Sequence, residues 1–270
     1  MKSKITGGET SLLFTAKILN KYDIKYYKCL ETGFIQTEEP YWLDEAYSEA
    51  ITKLDIGLVS RNEELREVTA GIIESSFNGD AKFIDYAGGY GIFTRMMRDK
   101  GYDFYHHDNY CKNIFAEFFD LSDCNQKNDF ELVSAFEVLE HLANPLEEIE
   151  KIASLGKNML VTTMIQPEHL ESIDDWWYFI PETGQHISFY TLKALEYIAK
   201  ELGMYLTSNG TNMHLFTKEK LTKSPFESKK EPYLIGKMRR KVSRYDLEHM
   251  KSRESLISKD WQMIRSKIIS

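Results

Sequence analysis

The stretch from Phe83 to Gly91 constrains the fold of this chain more than any other part of the sequence. An apolar run typical of a buried strand ends at Asp85, a glycine-rich turn follows, and a helical pattern begins at Ile92. Strand, glycine turn and helix in this order form a nucleotide-binding crossover, because glycines let the backbone approach a ligand beside the helix N-terminus. A second strand pattern ends at Asp108, roughly 20 residues beyond the turn, where a carboxylate can accept hydrogen bonds from ribose hydroxyls. The pattern predicts an adenosine-containing cofactor; a tight turn that binds nothing is the alternative.

Alternating strand and helix patterns continue to about residue 218 and predict an α/β fold with a mostly parallel sheet. The expected strands lie at 82–85, 103–107, 130–135, 158–163, 203–207 and 212–217. Asn209-Gly210 between the last two is typical of a hairpin, so these two strands should be antiparallel. We expect three parts: a small β and helical cap over residues 1–78, the main domain over 79–218 and a helical tail over 219–270. Within the cap, we expect strands at 11–16 and 25–29 and helices at 43–51 and 62–77.

Composition limits the classes of function. The sequence contains no run of 18 or more apolar residues, so we expect no membrane span, and its N-terminus lacks the apolar core of a signal peptide. Its three cysteines, Cys29, Cys111 and Cys124, favour free thiols in a reducing compartment and a cytoplasmic location. The net charge of −8 argues against extended nucleic-acid binding. A local basic cluster at Lys237–Lys241 is typical of a solvated helix face, with an anionic substrate or a partner as the alternatives.

The motif Asp85-x-Ala87-x-Gly89-x-Gly91 resembles the first motif of class I S-adenosylmethionine-dependent methyltransferases, which is acidic-x-Gly-x-Gly-x-Gly. The resemblance covers about residues 10–218 and implies a Rossmann-like sheet of seven strands that ends in an antiparallel hairpin. Ala87 replaces the first glycine, and its methyl group is tolerated if the backbone there has a negative φ. The resemblance implies that S-adenosylmethionine is bound by Asp85, Ala87, Gly88, Gly89, Gly91, Asp108 and Glu137.

Two N-terminal segments, Ser3–Gly7 and Cys29–Gly33, resemble the knuckles of a zinc ribbon that has lost ligands. Such ribbons precede the catalytic domain in a group of methyltransferases found among bacterial surface-polysaccharide genes. Only Cys29 remains of the four thiols, and Ser3, Thr6 and Thr32 occupy the other positions. Because hydroxyls are poor zinc ligands, we expect a small hairpin that binds no zinc.

Glu137, Glu140 and His141 follow the strand pattern at 130–135 with the spacing i, i+3, i+4, which on a helix places three side chains on one face. Oxygen-rich ligation of this kind favours Mg²⁺ or Mn²⁺. Glu-x-x-Glu-His resembles the metal site of small-RNA 2′-O-methyltransferases and of ubiquinone-pathway O-methyltransferases, in which a later histidine, here His186, completes the set. The alternative is a metal-free site in which Glu140 and His141 bond the backbone or each other. His186 and His141 are then the candidate general bases, because imidazole titrates near neutral pH.

The resemblance implies one in-line methyl transfer to a small-molecule acceptor, for which a hydroxyl of a sugar-containing or nucleotide-linked metabolite is our expectation. The aromatic run from Trp176 to Phe179 follows the strand at 158–163 and either walls the acceptor site or packs on the core. An RNA 2′-O-methyltransferase and a non-catalytic methyltransferase-like binding module are the alternative functions. The apolar positions of the 219–270 tail make a homodimer through it a further expectation.

Overall fold

Two sheets organise the chain in a computed structural model that describes residues 1–48, 51–226 and 253–269. The strands, in chain order, are β1 (Thr10–Ile18), β2 (Tyr22–Cys29), β3 (Ile35–Thr37), β4 (Lys82–Tyr86), β5 (Asp103–His107), β6 (Leu132–Phe136), β7 (Asn158–Thr162), β8 (Ser188–Phe189), β9 (Tyr205–Ser208) and β10 (Met213–Thr217). The α-helices are α1 (Leu43–Ala46), α2 (Leu58–Ser76), α3 (Ile92–Asp99), α4 (Pro145–Ala153), α5 (Leu192–Glu201) and α6 (Ile257–Ile269).

The main sheet has the order β5-β4-β6-β7-β10-β9. Its first four strands are parallel, and β10 runs antiparallel to both β7 and β9. The six strands predicted from the sequence are confirmed within about two residues at each end. Three of these strands, β4, β6 and β7, are buried on both faces, as parallel strands between helices are. They therefore consist largely of continuous apolar residues, which is the pattern that predicted them.

Among the described residues the main sheet has six strands, and the seventh that we expected is not among them. The edge beyond β5 is covered by the segment 109–129, which meets the sheet through one isolated bridge between His106 and Asp120. From Asp120 to Asp129 this segment is rich in Asp, Asn, Ser and Lys, which strands disfavour. A capping box between Asp120 and Asp123 begins a 3₁₀ turn there, so the backbone turns away where a strand would continue.

The second sheet has the order β1-β2-β3-β8 and is antiparallel throughout. The expected strands at 11–16 and 25–29 are confirmed as β1 and β2. Its fourth strand, β8, comes from the segment that follows β7, so the N-terminal residues complete their sheet with residues from the main domain. The expected helix at 43–51 is shorter, because α1 ends at Ala46. Tyr26, Phe179 and Phe189 contact one another through their rings and form the core between the two regions.

Helix α2 packs on the main sheet, and helix α6 packs beside α3. The apolar face of α2 packs Leu65 and Ile73 against the buried residues of β4 and β6. Helix α6 is fixed by Asp260, whose carboxylate accepts two hydrogen bonds from the Arg98 guanidinium at 2.9 and 2.8 Å. The basic cluster Lys237–Lys241 lies outside the described residues. Within the described part of the chain, no helix combines the length and hydropathy that crossing a membrane requires.

Candidate active site

A cavity of about 770 Å³ opens at the carboxyl ends of β4, β5 and β6. This is where ligands bind in α/β sheets of this kind. Eight of the ten predicted site residues line it: Asp85, Ala87, Gly88, Gly89, Asp108, Glu137, His141 and His186. The other two do not line the cavity: Gly91 is the N-cap residue that precedes α3, and Glu140 is fully buried.

The glycine turn is built around close approaches that exclude a side chain. A Cβ at Gly88 would collide with the Asp85 carboxylate and would lie 2.8 Å from the ring of His106. Gly89 and Gly91 have φ of +58° and +84°, the left-handed region that favours glycine. A Cβ at Gly91 would also collide with the side chain of Asn113. All three glycines are therefore required by the geometry of the turn.

Ala87 corrects one expectation, because its φ is +54° and not negative. A non-glycine residue in this region carries a cost of about 1–2 kcal/mol. Of the seven described non-glycine residues with positive φ, three line the cavity: Ala87, Glu137 (φ +53°) and Ile180 (φ +40°). Strained backbone held in place by the surrounding fold is typical of functional sites.

Asp85 is buried at the base of the turn and accepts hydrogen bonds from the hydroxyls of Ser134 at 2.7 Å and Thr94 at 3.3 Å. Burial raises the pKa of Asp85 to about 6, although the Ser134 bond lowers it. The carboxylate is therefore held by the protein's own donors directly beneath Gly88.

Asp108 ties the second strand to the turn. Its Oδ2 accepts a hydrogen bond from Gly89 N at 2.9 Å, and its Oδ1 accepts from Tyr110 N and Cys111 N, each at 2.7 Å. A carboxylate has about four acceptor positions, so one position on Oδ2 is left for a ribose hydroxyl. The role of His106 was not predicted: its two ring nitrogens contact Gly89 O at 2.9 Å and Asp120 Oδ1 at 2.8 Å.

Glu137 lies at the end of β6 with a side chain that faces the cavity. Its N–H donates to Thr162 Oγ1 at 2.9 Å, and the Thr162 hydroxyl donates to Glu137 Oε1 at 2.7 Å. Burial and the neighbouring Glu140 charge raise the pKa of Glu137 to about 7. The expected helix through Glu137 and His141 is wrong, because only a 3₁₀ turn over Leu139–His141 forms and Glu137 precedes it.

Glu140, His141 and His186 meet at the cavity wall, with one candidate ligand atom from each within 4.8 Å of the others. Glu137, which was predicted to complete this set, does not belong to the group. The two imidazole rings lie 4.8 Å apart between centroids and almost perpendicular, at 84°. This is the group of potential metal ligands that the described residues form.

Each member of this group keeps one acceptor atom that takes part in no hydrogen bond within the protein. His141 Nδ1 donates to Gln185 O at 3.1 Å and His186 Nδ1 donates to Tyr178 O at 2.7 Å, so each Nε2 keeps its lone pair. Glu140 Oε1 accepts from the Tyr178 hydroxyl at 2.7 Å, while Oε2 is buried without a well-formed hydrogen bond. The nearby Thr163 hydroxyl helps to lower the pKa of Glu140, but it does not reach bonding geometry.

Burial sets the protonation of this group. It raises the pKa of Glu140 to about 7, and with the neighbouring His141 it lowers the pKa of His186 to about 3. Burial also lowers the pKa of His141. Both imidazoles are therefore neutral at pH 7. Three acceptor atoms this close together favour a donor or a cation among them, and a proton on Glu140 or a bound metal ion would supply it.

The aromatic residues that follow β7 fall into two groups, one packed in the core and one lining the cavity. Trp176 and Phe179 are buried in the core, whereas Trp177 lines the cavity mouth and is 69% exposed. Two further wall residues, Tyr47 and Tyr110, stack at 5.6 Å between centroids and 19° between planes. They lie 63 residues apart and on opposite sides of the glycine turn, so local spacing does not predict that they stack.

The four ribbon positions also converge, away from the cavity. Cys29 is buried, and Thr6 Oγ1 lies 3.6 Å from its sulfur. Burial on its own would raise the pKa of the Cys29 thiol. Hydrogen bonds from Ser3, Thr32 and Thr6 have the larger, opposite effect, so the pKa falls to about 7. Three hydroxyls thus surround one sulfur, and the absence of zinc stays a prediction.

Comparison with known proteins assigns the chain to a family. The model of a family described as methyltransferase domain matches residues 60–209, which is more than half of the sequence. No curated protein matches the sequence.

Several solved structures are similar to this chain at low sequence identity and low TM-score. A methyltransferase in calicheamicin biosynthesis, bound to SAH, is 14% identical, with 66% of this chain and 60% of that one covered and a TM-score of 0.38. An O-methyltransferase family protein from Burkholderia thailandensis is 11% identical, with coverages of 67% and 64% and a TM-score of 0.40. Magnesium protoporphyrin IX methyltransferase from Synechocystis PCC 6803, with bound SAH, is 12% identical, with coverages of 64% and 90% and a TM-score of 0.41. The chain thus spans less than two thirds of the first two of these.

Proposed function

This chain belongs to the family of methyltransferase domains, and we propose that this S-adenosylmethionine-dependent methyltransferase transfers the methyl group to a hydroxyl of a small, sugar-containing or nucleotide-linked acceptor. The observation that carries the proposal is one cavity that joins the glycine turn to the lone pairs of His141 and His186. A cytoplasmic location and a homodimer through the tail stay predictions.

The cofactor is held by the turn and by two strand ends. The backbone of Gly88 and Gly89 supports close approach of the methionine part, and the remaining acceptor position of Asp108 serves the ribose. Glu137, at the end of the adjacent strand, faces the same volume. The positively charged sulfonium is favoured beside these carboxylates, and alignment of donor and acceptor supplies most of the rate enhancement.

The acceptor hydroxyl must lose its proton as the methyl group arrives. His186 Nε2 and His141 Nε2 carry the lone pairs that can take it, since both Nδ1 atoms are committed to backbone carbonyls. A pKa of about 3 makes His186 a weak base on its own. Glu137, with a pKa near 7, is the better matched acceptor of the proton among the residues of the cavity wall.

The group formed by Glu140, His141 and His186 also fits a divalent metal ion. Glu140 Oε2 lacks a hydrogen bond, and each imidazole is oriented by a carbonyl on its other nitrogen, as metal-binding histidines are. Glu140, His141 and His186 would hold the ion, and two nitrogen ligands favour Mn²⁺ over Mg²⁺. A bound ion would lower the pKa of an acceptor hydroxyl and orient its oxygen.

Calorimetric titration with S-adenosylmethionine tests the proposed function. We expect one site per chain, lost in Gly88→Ala because its Cβ would collide with the Asp85 carboxylate. Gly71→Ala is the matched control, since a Cβ there meets nothing within 4 Å. Circular dichroism of both variants separates loss of the site from loss of the fold. A folded Gly88→Ala variant that binds as tightly as the parent would contradict the assignment.

A further inference from the structure

The charge of the cavity wall bears on the charge of the acceptor. Among the described lining residues, arginine and lysine are represented by Arg61 alone. The acidic lining residues are Asp44, Asp55, Asp85, Asp108, Glu137 and Glu148. Asp55 is neutralised by Arg61, and burial raises the pKa of Asp85 and Glu137 toward neutrality. The carboxylates of Asp44, Asp108 and Glu148 remain and outweigh the single net positive charge of S-adenosylmethionine, so the wall stays negative when the cofactor is bound.

Arg61 does not offer a site for an anion. Its guanidinium donates from both terminal nitrogens to Asp55, at 3.0 Å to Oδ1 and 2.8 Å to Oδ2. This two-pronged pair uses the geometry with which arginine would bind a phosphate or carboxylate of a ligand. An anionic acceptor would have to break the pair and leave Asp55 beside it.

The histidines of the wall do not form an anion site either. Burial lowers the pKa of His107, and the Nδ1 atoms of His141 and His186 already donate to the backbone carbonyls of Gln185 and Tyr178. The charges that face this volume, from α1, α2, α4, the ends of β4 and β5 and the residues after β6, are thus mainly carboxylates.

The mouth of the cavity adds aromatic faces to this negative wall. Trp177 is 69% exposed and Tyr110 is 77% exposed, although Tyr110 also stacks on Tyr47. Aromatic faces attract cations through the ring quadrupole and pack against the apolar faces of sugars. Carboxylates behind aromatic rings therefore favour a positively charged ligand over an uncharged one, and an uncharged one over an anion.

We propose that the acceptor carries neither phosphate nor carboxylate and is an amino sugar, with uncharged sugars bound more weakly. The inference rests on the proposed function and narrows its substrate class: it selects the sugar-containing acceptor and disfavours the nucleotide-linked one. The same wall disfavours an RNA backbone.

Three methyl glycosides that differ in charge on one ring test the inference: the glucosaminide, the glucoside and the glucuronide. Binding to SAH-loaded protein is measured by ligand-observed NMR at low and high salt, with a chelator present so that no metal ion adds charge. We expect the glucosaminide to bind at least about tenfold more tightly than the glucuronide, with the glucoside between them. High salt should narrow the difference because it screens the wall.

A pair of variants locates the effect. Asp44→Asn removes one charge at the rim of the cavity and should reduce the preference for the glucosaminide, whereas Glu168→Gln, at an exposed position outside the lining, should not. A glucuronide that binds as tightly as the glucosaminide, or a glucosaminide that does not bind, would overturn the inference. Failure of SAH itself to bind would instead overturn the proposed function.

Discussion

The carboxylate of Asp108 accepts a hydrogen bond from the backbone N–H of Gly89 at 2.9 Å. The bond joins the end of β5 to the glycine turn that follows β4, so the proposed ribose site and the proposed methionine site share one rigid unit. His106 reinforces the unit from below through its contact with Gly89 O. Loss of Asp108 therefore affects both the ribose contact and the shape of the turn.

Asp108→Ala should weaken binding of S-adenosylmethionine at least about tenfold, because a charge-assisted hydrogen bond contributes about 1.5–3 kcal/mol. Asp108→Asn keeps one oxygen acceptor and should lose less. Calorimetry measures both, and Asp129→Ala, in the loop far from the turn in sequence, serves as control. An unchanged dissociation constant for Asp108→Ala would refute a ribose at this position.

Removal of a metal ligand should separate metal binding from cofactor binding. Glu140→Gln and His186→Ala should each weaken binding of Mn²⁺ at least about tenfold, because outer-shell changes alone already cost 10- to 100-fold. Binding of S-adenosylmethionine should change little, since the glycine turn lies elsewhere in the cavity. Electron paramagnetic resonance counts free Mn²⁺, and the exposed His169 provides a matched His→Ala control. Equal Mn²⁺ binding in all variants would exclude the site.

The buried carboxyl groups should make the metal-free protein less stable as pH rises. Burial raises the folded-state pKa of Glu140 from 4.5 to about 7, so its contribution is full below pH 4.5 and is lost as pH rises through 7. Glu140→Gln should remove this loss, so that the variant gains up to about 3 kcal/mol relative to the parent between pH 5 and pH 8. Urea denaturation in the presence of a chelator measures it. A stability difference that does not vary with pH would show that Glu140 is ionised throughout.

Helix α6 should depend on the buried carboxylate of Asp260, which pairs with both Arg98 and Arg95. Asp260→Ala would remove both pairs and leave Arg98 with Asp103 as its acidic partner, so we expect a cost below the roughly 3–5 kcal/mol of a fully uncompensated buried charge, about 2–3 kcal/mol. The exposed neighbour Lys259 provides the control variant, Lys259→Ala, for which we expect less than about 0.5 kcal/mol. Thermal unfolding compares the two. Similar unfolding temperatures would mean that α6 is dispensable for the stability of the main domain.

The strands and the glycine turn could be predicted because their signals are local. Buried parallel strands require continuous apolar residues, and Gly88 leaves no room for a Cβ. Of the four residues predicted as metal ligands, Glu140, His141 and His186 lie together and Glu137 does not. The spacing of Glu137, Glu140 and His141 fits a helix, but a 3₁₀ turn with Glu137 in a left-handed conformation aims Glu137 elsewhere.

Other site residues depend on contacts between distant segments. Tyr47 and Tyr110 stack across the cavity mouth, and Arg61 finds its partner Asp55 only because the segment before α2 turns back. No local sequence pattern around these residues predicts which distant side chain each one contacts. A single sequence therefore predicts the functional residues at the strand ends well. It predicts poorly which side chains from distant segments line the mouth of the cavity.

The pairing of β3 with β8 has a consequence for synthesis of the chain. Trp42 Nε1 bonds Gly184 O at 2.8 Å across 142 positions, and Gln185 Nε2 bonds Ala46 O at 2.8 Å across 139. The N-terminal sheet therefore cannot be completed until the ribosome has released residue 189. Contacts so distant in sequence slow folding, and until they form the edge of β3 is exposed to other chains. His186, which precedes β8, is thus set in place late, after about 140 further residues have followed Trp42 and Ala46.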